Sequence, residues 1–217
     1  NFPYKVIPVN LGKGDQFKPD FLSVSPNNRI PAIVDHEGFK GNKVSIFESG
    51  AILMYLGEKA GKFLPKDPVK RVKVLEWLFW QVGGLGPMAG QVSHFLNYAP
   101  NFPGDHSYSE TRYKNEYDRL LGVMDFVLNE KDFLAGEYSI ADIASFPWIT
   151  AYKRYEVDLD KFPNVRRWFD NIKNRPAVRK GIDVGKEQRN FGKGITKESL
   201  GNMFNQTAKS VKEKFEK

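Results

Sequence analysis

The chain has 217 residues, 41% hydrophobic and 14% aromatic, which excludes a disordered or collagen-like polymer and allows one large domain or two small ones. Its 33 basic and 26 acidic side chains give a formal charge of +7, and no apolar run approaches the roughly 18 residues a membrane-spanning helix needs. Cysteine is absent, so the sequence carries no disulfide, thiol nucleophile or thiolate ligand; His36, His94 and His106 share no ligand spacing, so no metal is expected.

Residues 1–65 alternate short β-rich and helical runs. The opening Asn1-Phe2-Pro3-Tyr4 has no basic region leading into an apolar one, so no secretory signal is read and a cytoplasmic location is expected. The missing Met fits a processed, trimmed or partial chain. Tyr4–Val9 reads as a strand and Asn10–Gly14 as a turn. Gln16–Val24 is a short amphipathic piece carrying Phe17, Phe21 and Leu22. Ala32–Asp35 and Val44–Phe47 are predicted strands, joined by a turn at Glu37–Asn42. The spacing of Ile52, Leu53, Tyr55 and Leu56 predicts a helix over Ser49–Gly61, closed by Gly61.

From Pro68 onward only helices are predicted. Pro68–Val82 carries Val72, Leu75, Trp77, Leu78 and Phe79. Gly83-Gly84-Leu85-Gly86-Pro87 is expected to kink or break the helix, because glycine is permissive and proline lacks a backbone donor. A helix resumes through Met88–Tyr98, and Asn97–Ser107 is a loop. Helices are then expected over Ser109–Glu130, Ser139–Tyr155, Asn164–Asn174 and Ala177–Val184. A mixed α/β stretch followed by an all-helical one implies domains 1–65 and 66–185, with a tail over 186–217.

That tail holds eight Lys or Arg and four Glu, so it supplies more than half of the net charge. It reads as a solvated segment rather than a nucleic-acid surface. Leu200, Met203, Phe204, Val211 and Phe215 recur at near-helical spacing across Thr196–Lys217. A helix docked on its own body is favoured over an amphipathic membrane helix, because acids interrupt the basic face and Trp is missing. Neither a nucleic-acid nor a membrane partner is expected.

Five segments bear on chemistry. In Asn27-Asn28-Arg29-Ile30-Pro31-Ala32-Ile33, a proline just before an apolar strand suits a cis bond and a sharp turn. Ile30 would then present free backbone groups to an extended peptide ligand; an ordinary proline at a strand start is the plainer alternative. In Phe47-Glu48-Ser49-Gly50-Ala51-Ile52, Glu48 ends a strand and Ser49 is placed as helix N-cap. A helix N-terminus beside a carboxylate suits an α-amino-acid head, with its carboxylate on the helix and its ammonium on Glu48. Capping alone would also explain either residue. Ser139-Ile140-Ala141-Asp142 reads as a capping box, which makes Asp142 structural. Trp77-Leu78-Phe79-Trp80 reads as core and subunit interface, with Gln81 following it toward a wall between domains. Arg112, at the start of its helix, is either solvated or a carboxylate clamp.

Taken together and in this order, NNRIPAI, FESGAILMYL, WLFWQVGGLGPMAGQ, the ETRY helix start and SIAD resemble a glutathione transferase. The likeness is greatest to the bacterial Nu-class type, which includes disulfide-bond reductases, and to related fungal proteins. The resemblance covers most of residues 4–185. It implies a thioredoxin-like domain, an all-helical domain and a homodimer, with glutathione as cosubstrate. By resemblance, Ile30 before a cis Pro31 pairs its backbone with the cysteinyl part, and Glu48 and Ser49 hold the γ-glutamyl head. Gln16 resembles a further glutathione contact. Gln81 and Arg112, with Arg119 as the alternative to Arg112, resemble contacts from the helical domain.

The family's first strand and helix would precede Tyr4–Val9, a unit of about 25–30 residues. The loop between them carries the Thr or Asn that stabilises the glutathione thiolate, so the catalytic residue is expected upstream of residue 1. The implied activity is glutathione transfer to an electrophile or reduction of a disulfide. The alternative is a non-catalytic binding or regulatory relative.

Overall fold

The computed structural model describes residues 2–188 and 196–215. Two compact units emerge, Asn1–Ile52 with Lys180–Lys217, and Leu53–Arg179. The return of the chain to the first unit after Lys180 has no counterpart in a linear division at 65 and 185. It comes about because the C-terminal segment packs on the turn near residue 11.

In the first unit, two short turns of 3-10 helix at Leu11–Lys13 and Asp15–Phe17 lead into helix α1, Pro19–Leu22. Strands β1, Ala32–Asp35, and β2, Val44–Phe47, pair antiparallel, with Ala32 opposite Phe47 and Asp35 opposite Val44. Helix α2, Ser49–Ala60, follows β2 directly, and the boundary between the units falls within it. Both strands lie where β-branched alternation predicted them. Tyr4–Val9 does not form the expected strand: it runs without regular structure, with Tyr4 68% and Ile7 74% exposed. A strand needs a neighbour for its ladder, and none lies beside it among the described residues. Pro3 and Pro8 also withhold donors.

The C-terminal segment belongs to this unit. It forms two helices, α9, Lys197–Phe204, and α10, Ala208–Phe215, where one helix was expected. The break has a local cause. Thr207 and Ser210 cap each other reciprocally, the Thr207 amide donating to Ser210 Oγ at 2.8 Å, which restarts a helix after Asn205. Residues 216–217 of the predicted helix lie outside the described residues. Leu200 is 8% exposed and α9 packs on the Leu11–Lys13 turn, in line with a docked helix.

The second unit is all-helical. Helix α3, Pro68–Trp80, starts on an Asp67 cap that accepts from the Lys70 amide at 2.8 Å. No break follows at the glycines. A π turn over Gln81–Leu85 carries the helix straight into α4, Gly86–Asn97. Leu85, Ala89 and Val92 are buried there, and burying that continuous apolar face outweighs the weak helix preference of the glycines. Pro87 stands at the start of α4, immediately after the π turn.

Helix α5, Ser107–Leu128, supplies Tyr117, Leu120, Leu121, Met124 and Leu128 to the core. Helix α6, Ile140–Ile149, ends earlier than predicted and gives way to a 3-10 turn at Tyr152–Tyr155. Helix α7, Pro163–Lys173, follows, and within α8, Pro176–Asp183, the chain passes back to the first unit. The capping box at Ser139 and Asp142 is present. The Asp142 carboxylate accepts from the Leu134 and Ser139 amides, both at 3.0 Å, and from Trp168 Nε1 at 2.9 Å. Burial pushes its pKa up while these donors oppose the shift. Asp142 is a buried structural acceptor, as expected. No described helix is long and apolar enough to cross a membrane.

Candidate functional site

The pairing of β1 with β2 builds the site. Because Ala32 lies opposite Phe47, the Ile30–Pro31 segment that leads into β1 and the Glu48–Ser49 segment that leaves β2 meet at the same end of the sheet. Two segments with different chemistry thus converge at one end of a two-stranded sheet. The Ile30–Pro31 bond is cis, as anticipated from the sequence. The turn before it is held by the Ser25 hydroxyl donating to the Arg29 carbonyl at 2.8 Å and by the Asn28 amide donating to the Ser25 carbonyl at 2.9 Å. Ser25, Arg29, Ile30, Pro31, Phe47, Glu48 and Ser49 line one shallow cavity of about 70 Å³.

The capping differs from the prediction by one residue. Ser49 is the first helical residue, and the Glu48 carbonyl accepts the first helical hydrogen bond, from the Ile52 amide at 2.9 Å. Glu48 itself sits in the left-handed region, at φ +69°. For a residue other than glycine that conformation costs about 1–3 kcal/mol and concentrates at ligand sites. It is held partly by Asn27, whose Nδ2 donates to Glu48 Oε1 at 3.2 Å. The site therefore offers a carboxylate, a guanidinium, a hydroxyl and the amides of a helix N-terminus. Such a set carries charges complementary to a zwitterion, with Glu48 facing an ammonium and Arg29 and the start of α2 facing a carboxylate.

The remaining candidates stand elsewhere. Gln16 does not line the cavity. It is 1% exposed, and its Nε2 donates to the carbonyls of Leu11 at 3.3 Å and Asn202 at 3.2 Å. Its Oε1 is buried with no hydrogen-bond partner among the described residues. Gln81 and Arg112 belong to the second unit. Gln81 is 4% exposed on the π turn, wedged so closely on Gly86 that a Cβ there would lie 2.6 Å from its Nε2. Arg112 is exposed and loosely paired with Glu116 at 3.7 Å. Arg119 makes the tighter pair with that carboxylate, at 2.9 and 2.7 Å.

Sequence reasoning passed over Ser25, Asn27, Arg29 and Phe47 as site residues. All four lie inside or next to the two motifs already singled out. The signal available was adjacency: on an antiparallel pair, whatever flanks the motif residues shares their wall.

The family model for "Glutathione S-transferase, N-terminal domain" matches residues 1–58, and that for "Glutathione S-transferase, C-terminal domain" matches residues 94–176. The chain is 51% identical over 177 residues to the disulfide-bond oxidoreductase YfcG of Escherichia coli K12, covering 81% of each chain. It is 40% identical over 186 residues to YghU of the same organism, also a disulfide-bond oxidoreductase, covering 82% of this chain and 63% of that one. Among solved structures it resembles a glutathione transferase from Pseudomonas putida with one glutathione disulfide bound per subunit. There the TM-score is 0.79 and the identity 45%, over 84% of this chain and 81% of the other. The convergence of a cis-proline turn and a Glu-Ser helix start thus sits within a thioredoxin-like sheet-and-helix region followed by a helical domain, and the chain belongs to the glutathione S-transferase family.

Proposed function

We propose that the cavity at Ile30, Pro31, Glu48 and Ser49 holds glutathione and that the protein uses its thiolate for transfer or for disulfide reduction. The observation that carries this reading is the lining itself: Arg29, Glu48 and Ser49 at one helix start, beside the Ile30–Pro31 turn. The γ-glutamyl head places its ammonium on Glu48 and its carboxylate at the amides of α2 near Arg29. The backbone of Ile30 pairs with the cysteinyl part. Gln16, Gln81 and Arg112 remain contacts on the strength of the resemblance alone, and Gln16 reaches a ligand only if its present bonds are exchanged.

None of the 217 residues is a cysteine, and in this reading both attacking sulfurs of a reduction come from glutathione. One glutathione thiolate attacks a substrate sulfur, the S–S bond breaks, and the substrate leaves as a thiolate that takes up a proton. A second glutathione thiolate then attacks the mixed disulfide, releasing the other substrate thiol and glutathione disulfide. With an electrophile, the thiolate forms the new C–S bond directly and a leaving group departs. A cytoplasmic setting, where glutathione is held mainly reduced, suits either course. A homodimer belongs to the same reading, and the exposed Val69, Val72 and Phe79 of α3 offer an apolar face for it.

Titration calorimetry with glutathione tests the site. Glu48→Gln should weaken binding about tenfold, the worth of one charge-assisted hydrogen bond. Unchanged affinity in Glu48→Gln and Ser49→Ala would overturn the assignment.

A further inference from the structure

The C-terminal segment and the ligand cavity are joined by a short polar relay within the first unit. Its far end is an anchor. Asn202 of α9 donates from Nδ2 to the Gly12 carbonyl at 2.9 Å, and its own carbonyl accepts from Gln16 Nε2 at 3.2 Å. The helix lies so close that a Cβ on Gly12 would stand 3.3 Å from the Ser199 Cβ. Ser199 and Leu200 are buried by this contact side of α9. Gln16 is thereby engaged in holding the segment: its Nε2 donates to the carbonyls of both Leu11 and Asn202.

The near end reaches the cavity. Gln206 donates from Nε2 to that same Asn202 carbonyl at 3.0 Å, which fixes the orientation of its amide. Its Oε1 then accepts from Arg29 Nη1 at 3.5 Å, while Asn28 Oδ1 accepts from the same nitrogen at 3.1 Å. Arg29 lines the cavity with Glu48 and Ser49. It is otherwise a long, exposed side chain whose rotamer freedom must be lost before it can meet an anion.

We infer that Asn202 and Gln206 are positioning residues for Arg29, so that docking of the C-terminal segment pre-organises the wall of the ligand cavity. The inference rests on reading that cavity as the glutathione site and adds a control element to it. Gln16, on this account, acts on the site at second hand, by anchoring α9.

A double-mutant cycle on the full chain, read by glutathione calorimetry, tests it. Gln206→Ala should weaken binding about threefold, the worth of one side chain no longer held in place. Asn202→Ala, which frees the anchor, should act in the same direction. In an Arg29→Ala background both substitutions should be silent, because the group they position is gone. An equal loss in both backgrounds would show a general effect on the fold and overturn the proposal. So would full affinity in Gln206→Ala while Glu48→Gln still weakens binding. If Glu48→Gln also left affinity unchanged, the reading of the cavity would fall, and the proposal with it.

Discussion

The two compact units are built to different standards. In Leu53–Arg179, the side chains of Tyr117, Leu121, Met124, Leu128, Trp168 and Ile172 are fully buried in one continuous core. In the first unit, Leu22, Ile52 and Leu200 are the only buried apolar side chains among the described residues. Its strands leave Val34 and Phe47 more than a third exposed. The proposed ligand site lies on the thinner unit, at a backbone outlier at Glu48 and one end of a short sheet, while the larger core lies among the helices. Sites that must admit and release a ligand are drawn from the less stable parts of a fold.

This contrast makes graded predictions. The largest effect is expected from Trp168→Ala. It empties a fully buried position and removes the indole donor of the buried Asp142 carboxylate, so urea unfolding should show a loss of about 3–5 kcal/mol. A loss below about 1 kcal/mol would remove the distinction between the units.

Glu48→Gly should separate stability from binding. Glycine tolerates φ +69°, so the relief of about 1 kcal/mol of strain offsets the lost Asn27 hydrogen bond. Thermal unfolding should therefore change little, while glutathione affinity falls at least as far as in Glu48→Gln. A large loss of stability would place Glu48 among the structural residues instead.

The smallest effect concerns pH. Burial, and then the neighbouring His106, hold the His94 pKa below the ordinary value. The unfolded chain then binds a proton that the folded chain refuses. His94's contribution to stability is complete above the ordinary value, about 6.5, and is lost as pH falls from there toward the lowered folded value. Urea midpoints taken from about pH 7.5 to about pH 5 should drop, and His94→Gln should flatten that part of the profile. A profile unchanged by the substitution would exclude His94 as the source.

Local signals made much of this legible. Strands β1 and β2, the start of α2 and the box at Ser139 and Asp142 are each specified by neighbours within a few residues, and sequence reading located them. What failed depended on distant partners. Gln16 bonds to a carbonyl 186 residues away, and no spacing rule reaches that far. Tyr4–Val9 has strand composition, but a ladder is a property of two segments. The glycines of 83–86 have the composition of a break. Buried Leu85 and Gln81 show why the helix persists there: tertiary packing overrode local preference.

That persistence has a consequence for how the chain tolerates change. A π turn is the trace a single inserted residue leaves in a helix. From Pro68 to Asn97 the backbone is a single unbroken helical rod apart from this turn. Each residue of an α-helix advances the azimuth by about 100°, whereas the five residues of the wider π turn cover about the rotation that four cover in an α-helix. Deleting one residue within 81–85 would therefore restore a regular repeat and leave Ala89 and Val92 facing the core. Deleting one residue elsewhere in α3 or early in α4, where no bulge takes up the change, would swing every side chain after it around the axis by about that angle. The turn therefore acts as a phase adjuster, and the faces shown by α3 and α4 are kept in phase across it.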